Sequence, residues 1–462
     1  GIGITFDHRI LAGSGNITIS VATNAGAAGT VVENFGVGSS VTIAGRRAVI
    51  NPTNNLTVGD TYHINYPSGC FTNTGGDVDY VGTAYTFGVA DEVISLWSWG
   101  TNDTGWLGIN NTTRYSSPVQ IPGTTWSNIL TTGHYGLSAN IATRSDGTAW
   151  VWGYGGDGRA LGLHPSTTDY SSPVQLPGTT WNSGEMAGSG SGISVVKTDG
   201  TLWSWGANNY GALGVNNSSG TAADVGSPVQ IYGGGTTWSK IARRVSGAMA
   251  IKTDGTMWGW GRNNNGAVGT PGNTGFSSPV QIPGTTWSSV WCGESACMAT
   301  KTDGTLWGWG KNDDGWLGLN DTTTYQSPVQ IPGTTWSGAG CGSDATFIAT
   351  KTDGTLWAMG NNGRGQLGQN SPDNSDVSSP VQIPGTNWST DRGTMNMGDN
   401  GSIMAIKTDG TMWAWGTRYR GNFGDNSSSY TYYSSPVQVP GTGWSKVFVD
   451  NYQVIATKSV VQ

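Results

Sequence analysis

Lys301-Thr302-Asp303-Gly304-Thr305-Leu306-Trp307-Gly308-Trp309-Gly310 decides the fold, because variants of it return along most of the chain. The Trp-x-Trp-Gly ending, or a near relative, finishes at Gly100, Gly153, Gly206, Gly261, Gly310, Gly360 and Gly416, in steps of 53, 53, 55, 49, 50 and 56 residues. Ser-Pro-Val-Gln keeps the same period, starting at Ser117, Ser172, Ser227, Ser278, Ser327, Ser379 and Ser435. A period near fifty residues marks an array of supersecondary units, none of which buries its apolar face alone.

Each unit divides into four strands, here A to D. In the fourth unit A begins at Trp287-Ser288-Ser289-Val290-Trp291, B is Met298-Ala299-Thr300-Lys301, C is Thr305-Leu306-Trp307-Gly308-Trp309 and D is Ser327-Pro328-Val329-Gln330-Ile331. Asp-Gly between B and C is a strong hairpin signal, since a type I′ turn needs positive φ at two residues. It returns at Asp146, Asp199, Asp254, Asp303, Asp353 and Asp409, which reads these aspartates as turn formers rather than catalytic carboxylates. Proline near the start of D suits an outer edge strand with one ladder partner. Trp307 and Trp309 stand two apart, so both point to one side of the sheet. Equivalent pairs are Trp97/Trp99, Trp150/Trp152, Trp203/Trp205, Trp258/Trp260 and Trp413/Trp415, with Trp357/Met359 as the variant. Another tryptophan stands at every D–A connection, so 20 of the 23 tryptophans read as scaffold rather than as a sugar-binding platform.

Four-stranded units stacked radially predict a β-propeller. The array opens at Val93-Ile94-Ser95-Leu96-Trp97 on a C strand and closes at Lys446–Val449 and Val454–Lys458 on A and B strands. One composite blade made from both ends brings the expected count to seven and removes exposed edges. Gly at 75 residues and charged residues at 11% leave almost no room for helix.

Residues 1–90 lack the repeat. Short alternating runs such as Gly3–Phe6, Ile17–Val21, Val41–Ile43, Ala48–Ile50, Thr61–Tyr66 and Tyr85–Phe87 predict a small β-sandwich. The expected division is therefore an Ig-like sandwich over 1–90 and a propeller over 91–462. The fold class is all-β.

Net charge is −7. No basic stripe suggests nucleic acid, and Arg46-Arg47 and Arg243-Arg244 read as solvated pairs. No apolar run approaches the ~20 residues of a membrane span. A chain opening on Gly1 rather than Met is expected to be processed or excised. The spacing of Cys70, Cys292, Cys297 and Cys341 fits neither a zinc motif nor a disulfide scaffold, so buried small residues are preferred over a bridge. No Ser/His/Asp or Cys/His constellation recurs, and no carboxylate pair stands out for glycoside hydrolysis. No catalytic residue and no cofactor is expected.

Two resemblances follow from these residues. Ile4-Thr5-Phe6, Ala12 to Ile19, Leu56 to Tyr62 and Tyr85-Thr86-Phe87 resemble bacterial Ig-like domains of surface-layer and adhesin proteins, which implies a spacer or stalk. Thr-Asp-Gly-Thr-Leu-Trp-x-Trp-Gly followed by Asn-x-x-Gly-x-Leu-Gly, as at Asn102–Gly108, Asn208–Gly214, Asn312–Gly318 and Asn362–Gly368, resembles the regulator of chromosome condensation repeat family over about 92–462. That family includes nuclear exchange factors for a small GTPase, secreted propeller-type β-lactamase inhibitors, and bacterial and phage surface proteins. The array has no basic tail, and of the family's Gly-x-x-His-Thr phrase only His134 after Gly133 remains. Exchange activity is therefore disfavoured.

A–B and C–D loops share one rim, which varies from unit to unit, whereas B–C and D–A turns repeat almost verbatim on the other. Binding is expected on the variable rim. Candidates are Trp106, Tyr154, Tyr210, Arg262, Trp316, Arg364, Tyr419, Arg420 and Tyr432, since aromatics and Arg dominate interface hot spots. Glu294, Asp344, Asp399 and Asp450 near the axis suit either a cation or, by preference, plain solvation. The expectation is a non-enzymatic recognition or structural protein at a cell or virion surface. It would contact a protein or cell-surface glycan, possess no nucleic-acid or membrane-inserting role, and belong to a larger assembly. A secreted enzyme inhibitor is the alternative, with an exchange factor or glycan-active enzyme behind it.

Overall fold

A computed structural model describes the chain except residues 1, 7–8, 23–27, 38, 45–46, 51, 54–55, 57–59, 74–84, 89–91, 124, 133–138, 156–158, 182–183, 191, 218–223, 343–345, 371–374, 451 and 462. His8, Arg46, His134 and Asp344 lie outside the described residues. The chain forms two compact units dividing at Val93/Ile94, with Val461–Gln462 counted with the first.

The first unit is all strand. Ile2–Thr5, Arg47–Ile50 and Val41–Ala44 form one sheet, and Ala28–Gly36, Asn16–Ala22, Thr61–Asn65 and Tyr85–Gly88 form another. A small pair, Ile10–Ala12 with Phe71–Asn73, completes it. Alternation along Asn16–Ala22 sends Ile17 and Ile19 inward, where Phe6, Tyr66 and Phe71 meet at ring distances of 5.0 to 5.9 Å.

In the second unit the described residues form seven four-stranded antiparallel sheets. Strand A of blades one to six is Trp126–Thr131, Met186–Ser189, Trp238–Arg244, Trp287–Cys292, Trp336–Cys341 and Met395–Met397. The seventh sheet joins Trp444–Val449 and Gln453–Val461 to Glu92–Gly100 and Tyr115–Ile121, so both ends of the array share one blade. Each strand A contacts strand A of the next blade, and that of blade one contacts Trp444–Val449, which closes the ring. Helix is confined to 3-10 turns at Asn209–Gly211 and Asn264–Gly266 among the described residues.

The repeat residues bind blade to blade. The second tryptophan of each Trp-x-Trp pair is buried, and in every such pair except that of Trp309 its indole N–H reaches a carbonyl of the preceding blade: Trp152 to Trp106 O at 2.9 Å, Trp260 to Ala212 O at 3.1 Å, Trp415 to Gln366 O at 2.8 Å. Trp99 reaches Asn422 O at 2.7 Å across the closure. Gly108 shows why Leu-Gly ends the loop: its φ is +71°, and a Cβ there would lie 2.7 Å from Trp152 Nε1. The first tryptophan of each pair, on the same side of the sheet, is only half-buried. Its cover comes from its own blade.

Candidate functional site

The turn rim is held by one bonding pattern repeated from blade to blade. In blade four the Asp303 carboxylate accepts from Thr305 N at 3.0 Å and Thr305 Oγ1 at 2.7 Å, and Thr305 Oγ1 accepts from Trp307 Nε1 at 2.9 Å. Lys301 then lies over two rings, 4.1 Å from Trp307 and 4.8 Å from Trp287. The same cation between two indoles recurs with Arg144, Lys197, Lys252, Lys351, Lys407 and Lys458. The N–H of Trp287 donates to Gly255 O at 3.0 Å, docking each D–A connection onto the preceding B–C turn. Hydrogen bonds from the following threonine hold Asp146, Asp199, Asp254, Asp303, Asp353 and Asp409 below the usual carboxylate range.

Inside this rim, charged side chains cross the axis. Arg392, just ahead of strand A in blade six, donates to Ile241 O of blade three at 2.6 Å and sits 3.5 Å from Glu185 of blade two. Lys240 pairs with Glu185 at 2.6 Å. Lys446, held by Asn128 and Ser127 O, has its pKa pushed down by burial despite nearby Glu185 and Asp391. Above this crossing, Leu130, Ala187, Val290, Met395 and Phe448 help line an axial cavity of about 170 Å³.

The loop rim is held differently. An asparagine forms the hub of most C–D loops, its side-chain oxygen accepting an N–H five residues on: Asn102 from Leu107, Asn208 from Leu213, Asn312 from Leu317, at 2.8 to 2.9 Å. The remaining side chains are thus free to differ.

Tyrosines gather where blade six meets the composite blade. Tyr419 packs edge-on against Tyr430 at 5.2 Å and Tyr452 at 5.1 Å, and Tyr430 meets Tyr432 at 5.3 Å, their hydroxyls bonded. Arg420 lies 5.0 Å over Tyr419 and 5.1 Å over Tyr452. Tyr430 is 58% exposed and Tyr432 45%. The bond to Tyr432 raises the Tyr430 phenol above its ordinary pKa. Beneath them Arg418 pairs with Asp425 at 2.8 Å and donates to Ser429 and Tyr433, anchoring the loop that carries Tyr430. Arg420 adopts φ +53°, a left-handed backbone unusual for a side chain of its size.

Of the nine candidates, Tyr419, Arg420 and Tyr432 come together here, and Arg364 is near enough to bear on Tyr430 while donating to Asn400 O at 2.9 Å. Tyr210 and Arg262 form a separate stack at 4.8 Å, and Tyr154 is half-buried. Trp106 and Trp316 do not belong to a binding surface: they are 7% and 8% exposed. Their position, just before Leu-Gly, turns toward the next blade, and Ala212, Ala267, Gln366 and Asn422 occupy it elsewhere, all buried. Tyr452 was not anticipated; its one visible signal is an aromatic in an A–B loop where the units of blades two to six carry none.

Three further expectations need correction. Arg243 and Arg244 are buried rather than solvated, at 4% and 2% exposure, because they end a strand A enclosed by neighbouring blades. Cys292 and Cys297 face each other across strands A and B of blade four, Cα atoms 4.1 Å apart, and are disulfide-bonded. Cys70 and Cys341 are free thiols. Glu294 is exposed, Asp399 half-buried and Asp450 buried, and among the described residues no three metal-ligating side chains converge.

With this geometry in view, comparison with known proteins is informative. Residues 96–457 match the RCC1-like domain and residues 1–89 the bacterial Ig-like domain. Human protein RCC2 is 31% identical over 121 residues, 26% of this chain and 23% of that protein. The ultraviolet-B receptor UVR8 of Arabidopsis thaliana is 31% identical over 28% of this chain and 29% of its own length. The chain therefore aligns with only about a quarter of these curated relatives. Yeast RCC1 (Prp20) in complex with Kap60 superposes with a TM-score of 0.69 at 15% identity, covering 81% of this chain and 90% of that one. Human WBSCR16 gives 0.66 at 18% identity, covering 79% and 98%. These structures share the fold. Among the described residues no helix is long and apolar enough to cross a membrane.

Proposed function

The chain belongs to the RCC1-like domain family, and from that premise we propose that it is a non-catalytic recognition protein whose loop rim grips a partner at the tyrosine patch. The family fold supports a protein-interaction or regulatory role. The observation carrying the finer reading is the cluster of Tyr419, Arg420, Tyr430, Tyr432 and Tyr452. Exposed, mutually braced tyrosines with a stacked arginine offer large contact area at low entropic cost. The partner is a protein, as Kap60 is for yeast RCC1. Display at a cell or virion surface, on the Ig-like module as a spacer, is part of the proposal; the bacterial Ig-like match over 1–89 supports it.

The test substitutes Tyr430→Ser and Tyr432→Ser together. The expected outcome is a loss of at least about tenfold in affinity for the partner recovered by cross-linking on the native cell or particle, with the unfolding midpoint unchanged. A glycan array run in parallel supplies the competing outcome, since sugar binding lost with these tyrosines would replace protein by glycan. Unaltered partner affinity in the double variant would refute the patch.

A further inference from the structure

Strand A of blade three, Trp238–Arg244, ends in two arginines that sink into the protein. Among the described residues neither has a carboxylate within ion-pair distance. Burial lowers both to about 10, so both are charged at neutral pH. A buried charge without a counter-ion is costly unless its donors are met. Arg243, facing the axis, gives its N–H groups to Ser194 and Ser204 at 2.9 and 3.3 Å. Arg244 has one bond, to Arg262 O at 2.9 Å, and the Nε of each arginine finds no acceptor.

Arg244 lines a cleft of about 260 Å³ on the loop rim between blades three and four. Ser246 and Arg262 of blade three and Glu294 and Lys311 of blade four also line it. Three cations thus face one carboxylate; Lys311 has a second acid, Asp313, at 3.0 Å, and counting both acids still leaves one excess positive charge. Arg262 is braced from outside by Tyr210, whose backbone is held at φ +59°. The volume falls below the usual 300–1,000 Å³ of small-molecule pockets, which suits one group rather than a whole ligand.

We propose that this cleft is an oxyanion site, taking a single carboxylate or phosphate group, with Arg244 as the buried donor and Arg262 and Lys311 at the mouth. Arginine suits planar oxyanions because its N–H groups form a fixed fork. The site lies on the same rim as the tyrosine patch but shares no residue with it, and it stands whether or not that patch binds a partner.

The experiment follows the arginine Nε–H resonances of the full chain in ¹⁵N NMR during titration with inorganic phosphate, and separately acetate, at constant ionic strength. The Arg244 resonance is expected to shift and saturate within the millimolar range, while that of Arg243, equally buried but lining the axial cavity instead of the cleft, stays fixed. Arg262→Ala with Lys311→Ala, both at the mouth, should weaken binding about tenfold without unfolding the protein. An Arg244 resonance that does not move, or moves alike in the double variant, overturns the site. A phosphoserine peptide with its glutamate and glutamine counterparts separates the sources. Phosphoserine alone binding assigns phosphate, glutamate binding as well assigns any oxyanion, and equal behaviour of all three also overturns it.

Discussion

The two rims of the propeller grow from the same seven sheets and spend their residues in opposite ways. On the turn rim Asp, Thr, Trp and Lys are locked into one bonding pattern repeated from blade to blade. On the loop rim the recurring bonding is withdrawn into buried asparagine hubs, and the outer side chains follow no pattern shared between blades. One rim is stability made periodic; the other is surface made individual. Changes on the turn rim should therefore move unfolding and leave binding alone, with the reverse on the loop rim.

The largest effect is expected where the turn rim meets the axis. Arg392→Ala removes a donor to Ile241 O and one of the cations around Glu185, which keeps Lys240 and the nearby Lys446. Breaking such a partly buried pair should cost about 2 kcal/mol, below the fully buried range because Arg392 is partly exposed. Urea unfolding would register this as a lower midpoint at unchanged slope. If the variant proves as stable as the parent, the axial crossing is ornamental and the contrast between rims weakens.

How much of this was legible follows from the same contrast. The strands, the Asp-Gly hairpins and the composite blade were readable because each recurs with a period, and period is what a single sequence displays. Trp106 and Trp316 were misread because a side chain's direction inside a loop has no period to reveal it. The small residues Ala212 and Ala267 in the equivalent place were the available warning. Arg243 and Arg244 looked like solvated charges because nothing local says that a strand A runs along the axis between two neighbours. The tyrosine patch needed the ring itself, since Tyr419 and Tyr452 come from different blades and meet only when the array closes.

A smaller effect, of opposite sign, tests how far the turn pattern is optimised. Thr125, Thr180, Thr286 and Thr335 all take positive φ, from 65° to 71°, just ahead of the D–A tryptophan. For a β-branched residue this is strained. The chain itself carries Asn387 at φ 65° and Gly443 at φ 77° in the same place. Thr335→Asn should therefore stabilise by about 1 kcal/mol, the scale of a left-handed penalty, visible as a raised Tm in calorimetry. A lower Tm would mean that the threonine hydroxyl, which bonds Thr334 O at 2.5 Å, outweighs the strain.

The smallest expected effect is a single proton. The Asp303 carboxylate is held below its usual pKa of 3.8 by the Thr305 hydroxyl and N–H, and five other turns repeat the arrangement. A carboxyl with a folded pKa below its unfolded value contributes stability that is complete above the unfolded value and lost as pH falls through the folded one. Stability should accordingly be flat with pH just above 3.8 on account of these groups and fall below it, as the unfolded chain takes up protons the folded one refuses. Asp303→Asn keeps the turn acceptor but removes one titrating group, so the acid limb of unfolding free energy against pH should become shallower. Tyr430→Ser with Tyr432→Ser, on the other rim, should leave that limb as it was. If the acid limb is as steep in Asp303→Asn as in the parent, the turn aspartates are spacers without linkage, and the periodic rim owes its stability to the tryptophan–lysine stacks alone.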